Sequence, residues 1–391
     1  MNNLWRIFTS YATAKKRTTI MKHWILLNIL FIGFGLNAQE FKPIKSIQKQ
    51  TKEIITISTS NKYFATGSYD RNVFVYDYSG KKIFKYKNLD AVIGEVILHP
   101  DSNYVFLSIT ETKAGVYERP VIKCFDLTTG QQVREFIDTT ITQEQINAFY
   151  EKNTTGVKNA MAHVENMFPQ MQTKSEINYP RVEDGLSHIE RIQSLSVSND
   201  FKHFASMDKY NILKIWNTNG NILNSFQVTN NKVNTDLYFI NDSTLLISPN
   251  ILLNITDYST EILADYQVYK RSIPVKDKIF YFSNLDIESS KLVDYSTDNP
   301  YPIDVKDSKC YRATYSVDKF AFLGIDGLVR ICDFKGEIKQ KLGKDRTESV
   351  GTRDGGSRLI FSEIEEIKLS PNGKYLITGD KFGKVIIWKN E

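Results

Sequence analysis

Arginine and glycine residues are concentrated in the segment Gly343 to Ser362. Guanidinium groups and the backbone amides of glycine both bind phosphate and carboxylate groups, so this composition suits an anion site. The residues concerned are Arg346, Arg353, Gly355, Gly356 and Arg358. No strand and helix flank the glycines in the order that a phosphate-binding loop needs, and the pattern favours a surface loop over an anion site.

The rest of the sequence carries no recognisable catalytic or metal-binding motif. HExxH, paired CxxC, GxSxG and Walker-type sequences are absent, and the 5 histidines are scattered. Acidic residues are plentiful but lie in turn-like stretches, where bonding to their own backbone is the default role. Catalysis needs groups of matched roles within hydrogen-bond reach. The sequence therefore predicts a protein without catalytic activity, metal or cofactor.

The N-terminal region has the pattern of a secretory signal peptide. Met21 to Leu36 combines a basic start with a largely apolar run, and Leu36-Asn37-Ala38 follows as a cleavage signal. The run is short for a membrane span, which needs about 20 apolar residues. We expect a signal peptide over 1–38, cleavage after Ala38 and a periplasmic or secreted protein; a retained anchor is the alternative. Residues 1–20 are an extended n-region, a transit-like extension or the product of an upstream start, with Met21 as the true start.

The basic charge of the chain belongs to this leader. The formal net charge is +5. All the charged residues before Ala38 are basic: Arg6, Lys15, Lys16, Arg17 and Lys22. Their removal leaves a nearly neutral body, whereas a nucleic-acid-binding protein carries a basic field on its folded domain. We therefore expect no nucleic-acid partner.

The cysteines do not form a disulfide framework. There are 3 of them, Cys124, Cys310 and Cys332, and each lies in an apolar, strand-like run. An odd number in such positions favours buried free thiols that act as small hydrophobic side chains. A bridge between Cys310 and Cys332 is the alternative, and it demands a specific geometry.

The elements that would position any site are short strands. Residues Ile364 to Glu391 form the clearest unit, with three alternating apolar runs separated by two turns rich in Gly, Pro, Asn and Asp. A three-stranded meander cannot bury its faces alone. Seven copies of this unit can be placed along the chain, and the first adds a fourth strand at Lys81 to Tyr86. The copies span Glu53 to Tyr86, Val92 to Phe136, Ile192 to Val228, Val233 to Val268, Tyr269 to Val305, Tyr311 to Leu342 and Ile364 to Glu391.

Several copies end in a characteristic dipeptide. These dipeptides are Tyr76-Asp77, Phe125-Asp126, Trp216-Asn217, Cys332-Asp333 and Trp388-Lys389. In this respect the chain resembles the WD-repeat family, whose units end in an aromatic residue followed by Asp. The resemblance covers most of Glu53 to Glu391, is strongest in copies one, three, six and seven, and is weak in copies four and five. It implies an all-β fold, a seven-bladed β-propeller over 39–391 in which four-stranded sheets pack radially.

Ring closure can be predicted from the two ends of this region. The last copy ends after its third strand, and the strand-like segment Phe41 to Gln48 precedes the first copy without belonging to it. We expect this segment to supply the fourth strand of the last blade. Without it the apolar faces of the ring would not be covered.

The family typically ties each blade with a polar network. This network runs from the Trp through a Ser or Thr to a His before the first strand, with an Asp in the central hairpin. The Asp is partly retained at Asp70, Asp208, Asp326 and Asp380. We find no His at the loop position of a regular copy, so we expect apolar packing to hold the blades together and the Asp residues to act as turn formers.

A long insertion, Asp138 to Glu190, separates copies two and three. The sequence Thr142-Gln143-Glu144-Gln145 is a capping box that predicts a helix, and an apolar stripe from Val157 to Met171 predicts a second one. We expect a helical hairpin packed on the propeller. The alternative is an exposed binding surface that includes Met161 and Phe168.

In propellers of this family, loops from an outer strand to the next inner strand emerge on the same face as the central hairpin turns. Both insertions therefore belong to one face. Aromatic and cationic residues of the kind that anchor protein interfaces share it. The predicted partner-binding residues are Tyr69, Arg71, Lys209, Tyr210, Arg353, Arg358, Lys381, Phe382, Met161 and Phe168.

These patterns lead to two hypotheses about function. The first is a monomeric, non-catalytic interaction scaffold of a bacterial cell envelope, without a membrane span after cleavage, which docks a protein or peptide through the insertion-bearing face. The second is a propeller enzyme, a hydrolase or lyase, or a carbohydrate-binding protein that uses the mouth of the central channel. Clustered carboxylates around a deep pocket favour the second hypothesis, and an exposed aromatic face beside the insertion favours the first.

Overall fold

The structure is a computed structural model. It describes residues 40–99, 103–113, 116–139, 142, 144–145, 188, 191–228, 236–263, 271–282, 290–294, 303–305, 310–343, 348–351, 357–360 and 363–391. The predicted signal peptide, the apolar stripe of the long insertion, Met161, Phe168, Arg346 and Arg353 lie outside the described residues.

Alternating apolar residues and Gly- or Asp-containing turns produce antiparallel strands throughout the described chain. The first strand is β1 (Phe41–Gln48). Blade 1 contains β2 (Ile54–Thr59), β3 (Tyr63–Ser68), β4 (Asn72–Asp77) and β5 (Lys82–Lys87). Blade 2 contains β6 (Ala91–Leu98), β7 (Tyr104–Lys113), β8 (Val116–Asp126) and β9 (Gln132–Ile137). Blade 3 contains β10 (Ile192–Val197), β11 (His203–Asp208), β12 (Ile212–Asn217) and β13 (Ile222–Gln227).

The remaining blades repeat this arrangement with shorter strands. Blade 4 contains β14 (Leu237–Phe239), β15 (Thr244–Ile247), β16 (Ile251–Asn254) and β17 (Thr260–Ile262). Blade 5 contains β18 (Arg271–Val275), β19 (Lys278–Phe282), β20 (Ser290–Asp294) and β21 (Ile303–Val305). Blade 6 contains β22 (Cys310–Tyr315), β23 (Phe320–Gly324), β24 (Val329–Cys332) and β25 (Ile338–Leu342). A separate hairpin, β26 (Glu348–Gly351) and β27 (Ser357–Ile360), precedes the strands of blade 7, which are β28 (Ile364–Leu369), β29 (Tyr375–Asp380) and β30 (Lys384–Asn390).

Blade 7 is completed by the first strand, as the sequence predicts. Its strand order is β1-β30-β29-β28, with Phe41 opposite Asn390 and Gln48 opposite Lys384. The side chain of Gln340 in blade 6 fixes the start of β1, because it accepts a hydrogen bond from the Phe41 N–H at 2.8 Å and donates one to the Phe41 carbonyl at 3.0 Å. The closure model is therefore confirmed.

The core consists of layers between neighbouring blades. Buried apolar residues of the described chain fall into seven clusters, and each cluster fills one interface between consecutive blades, including the interface between blades 7 and 1. The layer between blades 4 and 5 is the smallest, with Leu246, Ile279, Tyr281 and Val293 as its buried members. Each blade is thus stabilised by its neighbours, which is why the ring has to close.

Hydroxyl groups on the inner strands add a polar connection between blades. The Leu98 N–H donates to Ser58 Oγ at 2.9 Å, and the Leu237 N–H donates to Ser194 Oγ at the same distance. The Leu369 N–H donates to Thr314 Oγ1 at 3.1 Å. These bonds satisfy inner-strand amides that have no strand neighbour on the channel side.

The predicted helical insertion between blades 2 and 3 is not supported. Across the part of the chain that the structure describes, no helix is an element of the fold. The capping-box bonds do form, since the Thr142 N–H donates to Gln145 Oε1 at 2.9 Å and the Gln145 N–H donates to Thr142 Oγ1 at 3.3 Å. Only Glu144 and Gln145 follow with helical backbone among the described residues of this segment. A local start signal does not show that a helix continues.

Two smaller expectations have clear outcomes. The Gly343 to Ser362 segment, for which a surface loop is predicted, contains the hairpin β26–β27, in which Val350 pairs with Arg358. The three cysteines are buried and free, so the disulfide alternative is wrong.

Candidate functional site

The seven inner strands surround a central channel with two wide ends. One cavity, of about 330 Å³, is lined by residues from the beginnings of the inner strands, such as Glu53, Arg271 and Arg312. The other, of about 580 Å³, is lined by residues from their ends, such as Thr59 and Leu369. Ile57, Glu95, Asp236, Tyr238 and Lys368 line both cavities. We call the first end the insertion face, because both insertions connect an outer strand to the beginning of an inner strand there.

Bulges direct inner-strand residues toward the channel at the insertion face. The pairing of β6 with β7 shifts between Ile93 and Val96, so Gly94 and Glu95 form a bulge. A Cβ on Gly94 would lie 2.1 Å from the Ile192 carbonyl oxygen, so only glycine fits there. In blade 7 the shift between Ile364 and Glu366 places Glu365 in a bulge. Bulges of this kind change the direction of side chains beside a site.

The charges around this mouth are arranged by sector. Acids come mainly from consecutive blades 7, 1 and 2, and arginines come from blades 3, 5 and 6. The acids are Glu365, Glu366, Glu53 and Glu95, and the arginines are Arg191, Arg271 and Arg312. Asp236 of blade 4 and Lys368 of blade 7 are the exceptions to this division. The mouth therefore has an acidic side and a basic side.

One ion pair joins the two sides. Arg312 Nε donates to Glu366 Oε1 at 2.6 Å, and the Arg312 guanidinium lies over the Tyr311 ring, 4.3 Å from its centroid. Burial lowers the pKa of Arg312, but the charge of Glu366 outweighs this effect and raises the pKa above its ordinary value. This pair holds Arg312 in one orientation at the boundary between the sectors.

The other carboxyl groups of the acidic side are crowded. Burial raises the pKa of Glu365 to about 7, and the charge of Glu53 acts in the same direction. Burial also raises the pKa of Glu95 to about 8, although Thr56 Oγ1 donates a hydrogen bond to Glu95 Oε1 at 2.5 Å. These acids are surrounded by too little water and too many like charges to ionise at their usual pH.

The predicted turn residues lie around this mouth. The Tyr69, Lys209 and Lys381 N–H groups donate to the carbonyls of Glu53, Arg191 and Glu363, respectively, at 3.1, 3.2 and 2.9 Å. These bonds tie the central turns of blades 1, 3 and 7 to the beginnings of their inner strands. The turns therefore share the insertion face, as predicted.

Exposed aromatic residues of neighbouring blades mark one sector of that face. Tyr69 of blade 1 is 48% exposed, and Phe382 of blade 7 is 55% exposed. Leu89, in the loop between blades 1 and 2, is 58% exposed. Lys381 Nζ lies 5.1 Å from the centroid of the Phe382 ring. We call Tyr69, Leu89 and Phe382 the apolar sector; it lies on blades 7, 1 and 2, between the attachment points of the two insertions.

The remaining predicted residues are distributed more widely. Arg71 follows Tyr69 in the same turn and has a φ of 67°. Lys209 and Tyr210 occupy the corresponding turn of blade 3, on the far side of the long insertion. Arg358 lies in β27, and Met161, Phe168 and Arg353 are outside the described residues. The structure thus brings together the turns of blades 1 and 7, and whether these residues bind a partner stays a prediction.

A buried polar network in blade 3 was missed by the sequence analysis. His188 Nε2 lies 2.8 Å from Ser206 Oγ, which also accepts a hydrogen bond from Trp216 Nε1 at 2.7 Å. His188 Nδ1 lies 3.7 Å from Asp208 Oδ2. The expectation that no histidine occupies the loop before an inner strand is therefore wrong for blade 3. The signal was the spacing, because His188 precedes Ile192 by as many residues as Gln50 precedes Ile54 at the start of blade 1.

Gln50 has the corresponding role in blade 1. Its side chain accepts a hydrogen bond from Thr66 Oγ1 at 2.9 Å and donates one to the Asn72 carbonyl at 3.1 Å. The predicted turn-forming role of the aspartates is confirmed, since Asp208 Oδ1 accepts from the Tyr210 N–H and Asp380 Oδ1 accepts from the Phe382 N–H, both at 2.9 Å. The network and the turns together set the shape of the regular blades.

The same network fixes both ends of the long insertion. Asp138 accepts a hydrogen bond from the His188 N–H at 2.9 Å and pairs with Lys214 Nζ at 2.7 Å. All three side chains are buried, and burial lowers the pKa of Lys214 although Asp138 opposes the effect. Asp138 and His188 form the stem of the insertion, so the intervening residues leave and rejoin the ring at one place.

Two negative findings apply to the described residues. They include no group of His, Cys, Asp or Glu side chains placed to hold a metal ion. Nor do they include a helix with the length and hydropathy required to span a membrane.

One family model matches the chain. It is described as "WD domain, G-beta repeat" and covers residues 41–77. The match runs from the first residue of β1 to the last of β4, so the sequence repeat consists of the outer strand of one blade and three strands of the next. The chain is a seven-bladed β-propeller with a WD repeat over residues 41–77. A search of curated proteins found no significant match.

Both features that would distinguish the functional hypotheses occur on the insertion face of this WD-repeat propeller. Carboxyl groups line mainly one side of the channel mouth, and exposed aromatic residues lie outside it. WD-repeat propellers commonly serve as scaffolds for protein interactions and are typically not enzymes.

Proposed function

We propose that this propeller is a non-catalytic interaction scaffold of the bacterial cell envelope, and that a protein or peptide docks on the apolar sector of its insertion face. The exposure of Tyr69, Leu89 and Phe382 between the two insertions carries this proposal. Aromatic side chains on rigid turns lose little conformational entropy on binding and commonly act as interface anchors.

The rigidity of the two aromatic turns supports this role. Asp380 Oδ1 accepts hydrogen bonds from the N–H groups of Phe382 and Lys384 at 2.9 and 2.8 Å, and Gln48 Nε2 donates to the Phe382 carbonyl at 2.8 Å. In blade 1, Asp70 Oδ1 accepts from the Asn72 N–H at 3.0 Å. Both side chains are thus presented by turns that are already ordered.

Crosslinking in the envelope fraction tests the docking proposal. The variant Tyr69→Ala/Phe382→Ala should lose its main crosslinked partner. The matched control is Tyr315→Ala/Val317→Ala on the opposite face, where Val317 is 71% exposed. If the control loses the partner and the first variant keeps it, the docking face is wrong.

Deletion of the long insertion gives a second test of partner binding. Because Asp138, His188 and Lys214 form a buried network, the deletion should remove 141–186 and keep the stem. A stable deletion variant with an unchanged partner shows that the insertion itself does not take part in docking.

Export is the second element of the proposal, and it rests on the sequence of residues 21–38. We expect the protein isolated from cells to begin at Gln39 and to be recovered from the periplasm or medium as a monomer. N-terminal sequencing of the fractionated protein decides this, and a chain that keeps residues 21–38 contradicts cleavage.

A further inference from the structure

We propose that the channel mouth at the insertion face binds a small zwitterion, a molecule that carries an ammonium group and a carboxylate together. This inference goes beyond docking, because it concerns the cavity and not the apolar sector. The cavity is bordered by all seven inner strands and has a volume of about 330 Å³. That volume is at the lower end for ligand sites and suits a molecule of amino-acid or dipeptide size.

The acidic side of the mouth provides the ammonium subsite. Glu53 and Glu365 come from adjacent blades, and burial raises the pKa of both carboxyl groups; the charge of Glu366 adds to this effect at Glu53, and the charge of Glu53 adds to it at Glu365. Among the described residues, neither carboxylate has an ion-pair partner within bonding distance, whereas Glu366 is engaged by Arg312. A bound ammonium group would relieve the repulsion that these two carboxylates experience.

The basic side of the mouth provides the carboxylate subsite. Arg271 begins β18 in blade 5, across the ring from the acidic blades. In the described chain its guanidinium forms no hydrogen bond or ion pair, although it lines the cavity. Arg312 is already committed to Glu366, whereas Arg271 is available for a bidentate contact with a carboxylate.

The division of charge selects a zwitterion over simpler ions. A lone cation would pair with the acidic side and leave Arg271 unpaired. A lone anion would pair with Arg271 and leave the carboxylates of the acidic side unpaired. Each unpaired charge in a partly desolvated cavity reduces affinity. A ligand with both charges satisfies both sides at once.

Calorimetric titration of the full chain tests this proposal. The probes are the common α-amino acids and glycylglycine, followed by the N-acetyl and C-terminal amide derivatives of the tightest binder. We expect saturable binding of at least one zwitterion, and at least about tenfold weaker binding of either derivative, which corresponds to about 1.4 kcal/mol. Absence of binding by every probe, or equal binding of the derivatives, would overturn it.

Two variants assign the subsites. Arg271→Gln should weaken recognition of the carboxylate group of the zwitterion. Glu365→Gln should weaken recognition of its ammonium group. Lys276→Gln, at the opposite end of the channel, and Glu261→Gln, on an outer strand, are the matched controls. The melting temperature of each variant identifies misfolding.

The subsite assignment fails if the controls weaken binding as much as Arg271→Gln and Glu365→Gln. Zwitterion binding that survives in Tyr69→Ala/Phe382→Ala separates this site from the docking surface. Failure of one proposal is therefore distinguishable from failure of the other.

Discussion

Blades 3 and 7 hold equivalent tryptophans by different means. In blade 3, Trp216 is buried and bonded to Ser206, which also meets His188. In blade 7, Trp388 is partly exposed, and its Nε1 donates to Thr378 Oγ1 at 3.1 Å. The residue corresponding in spacing to His188 is Ile360, which offers no polar side chain.

The difference extends to the source of the strands. The four strands of blade 3 are consecutive and are held by a local, buried polar network, whereas blade 7 takes its outer strand from the other end of the folded region. One repeat pattern can thus be secured either by short-range hydrogen bonds or by long-range strand pairing. The variants below alter one mechanism at a time.

Removal of Phe41–Gln48 should have the largest effect. It deletes the outer strand of blade 7 and the buried side chains of Phe41 and Ile47. Since replacement of such residues by Ala typically costs about 2–5 kcal/mol each, we expect a loss of at least about 5 kcal/mol and a sharply lower melting temperature. Ile44→Ala, at an exposed position of the same strand, should change stability by less than about 0.5 kcal/mol. A deletion variant as stable as the parent would contradict closure by β1.

Loss of the buried cation in blade 3 should have the next largest effect. Lys214→Met leaves Asp138 buried without its partner, so we expect a loss of about 3–5 kcal/mol in urea denaturation. The double variant Asp138→Asn/Lys214→Met should recover most of this loss because the charge is gone while an acceptor for the His188 N–H remains.

The matched control for Lys214 is in blade 7. Ile386 is paired with Thr378 as Lys214 is paired with Ser206. Ile386→Met should therefore cost less than about 1.5 kcal/mol. Equal losses for the two methionine variants would show that the ion pair has no special role.

Removal of the hydroxyl group that bonds each tryptophan compares the two blades directly. Ser206→Ala leaves both Trp216 Nε1 and His188 Nε2 without this partner, so we expect a loss of about 2–3 kcal/mol. Thr378→Val affects a single donor on the partly exposed Trp388, and we expect about 1 kcal/mol or less. Calorimetric melting curves of both variants measure the difference, and a larger loss in blade 7 would reverse the comparison.

The smallest effect is expected from a change that makes blade 7 resemble blade 3. Glu365 lies in the bulge of the inner strand of blade 7. The equivalent bulge in blade 3 contains Gln193, which has an uncharged side chain. Burial raises the pKa of Glu365 to about 7, so the Glu365 carboxyl group holds its proton more tightly in the folded protein than in the unfolded chain. Its contribution to stability is therefore greatest at low pH and declines as the pH rises toward about 7.

Glu365→Gln should remove this decline. Relative to the parent, the variant should gain about 1 kcal/mol at pH 8, after allowance for solvent screening, and nothing comparable at pH 4. Urea denaturation at the two pH values provides the measurement. A gain that is the same at both would show that the effect does not arise from ionisation.

Much of the fold was predictable because its signals are local and repeated. Alternating apolar residues and the Asp- and Gly-containing turns of Ile364 to Glu391 recur often enough to give blade number, order and closure. The turns of Tyr69 and Phe382 could be assigned to one face for the same reason, since connection order determines the end of the sheet at which a turn lies.

The channel site and the blade 3 network were harder to predict. Glu365 and Arg271 are far apart in sequence, and their positions around one mouth depend on ring closure and on bulges whose register the sequence does not reveal. His188 is separated from β9 by a long insertion, so its approach to Ser206 was hidden by the chain between Asp138 and His188. The predicted helical hairpin finds no support among the described residues, because the capping box at Thr142 reports only on its own turn.

The pairing of β1 with β30 in blade 7 also constrains how this protein reaches its native state. The Phe41 backbone contacts Gln340, which is 299 positions away, and β1 pairs with a strand farther still. Closing a flexible loop of that length costs about 5 kcal/mol of chain entropy before any contact is gained. Successive blades reduce this cost as they stack, because they bring the two ends together. We therefore expect the ring to close last and slowly, and an incomplete arc of blades to expose apolar faces until the final strand is in place.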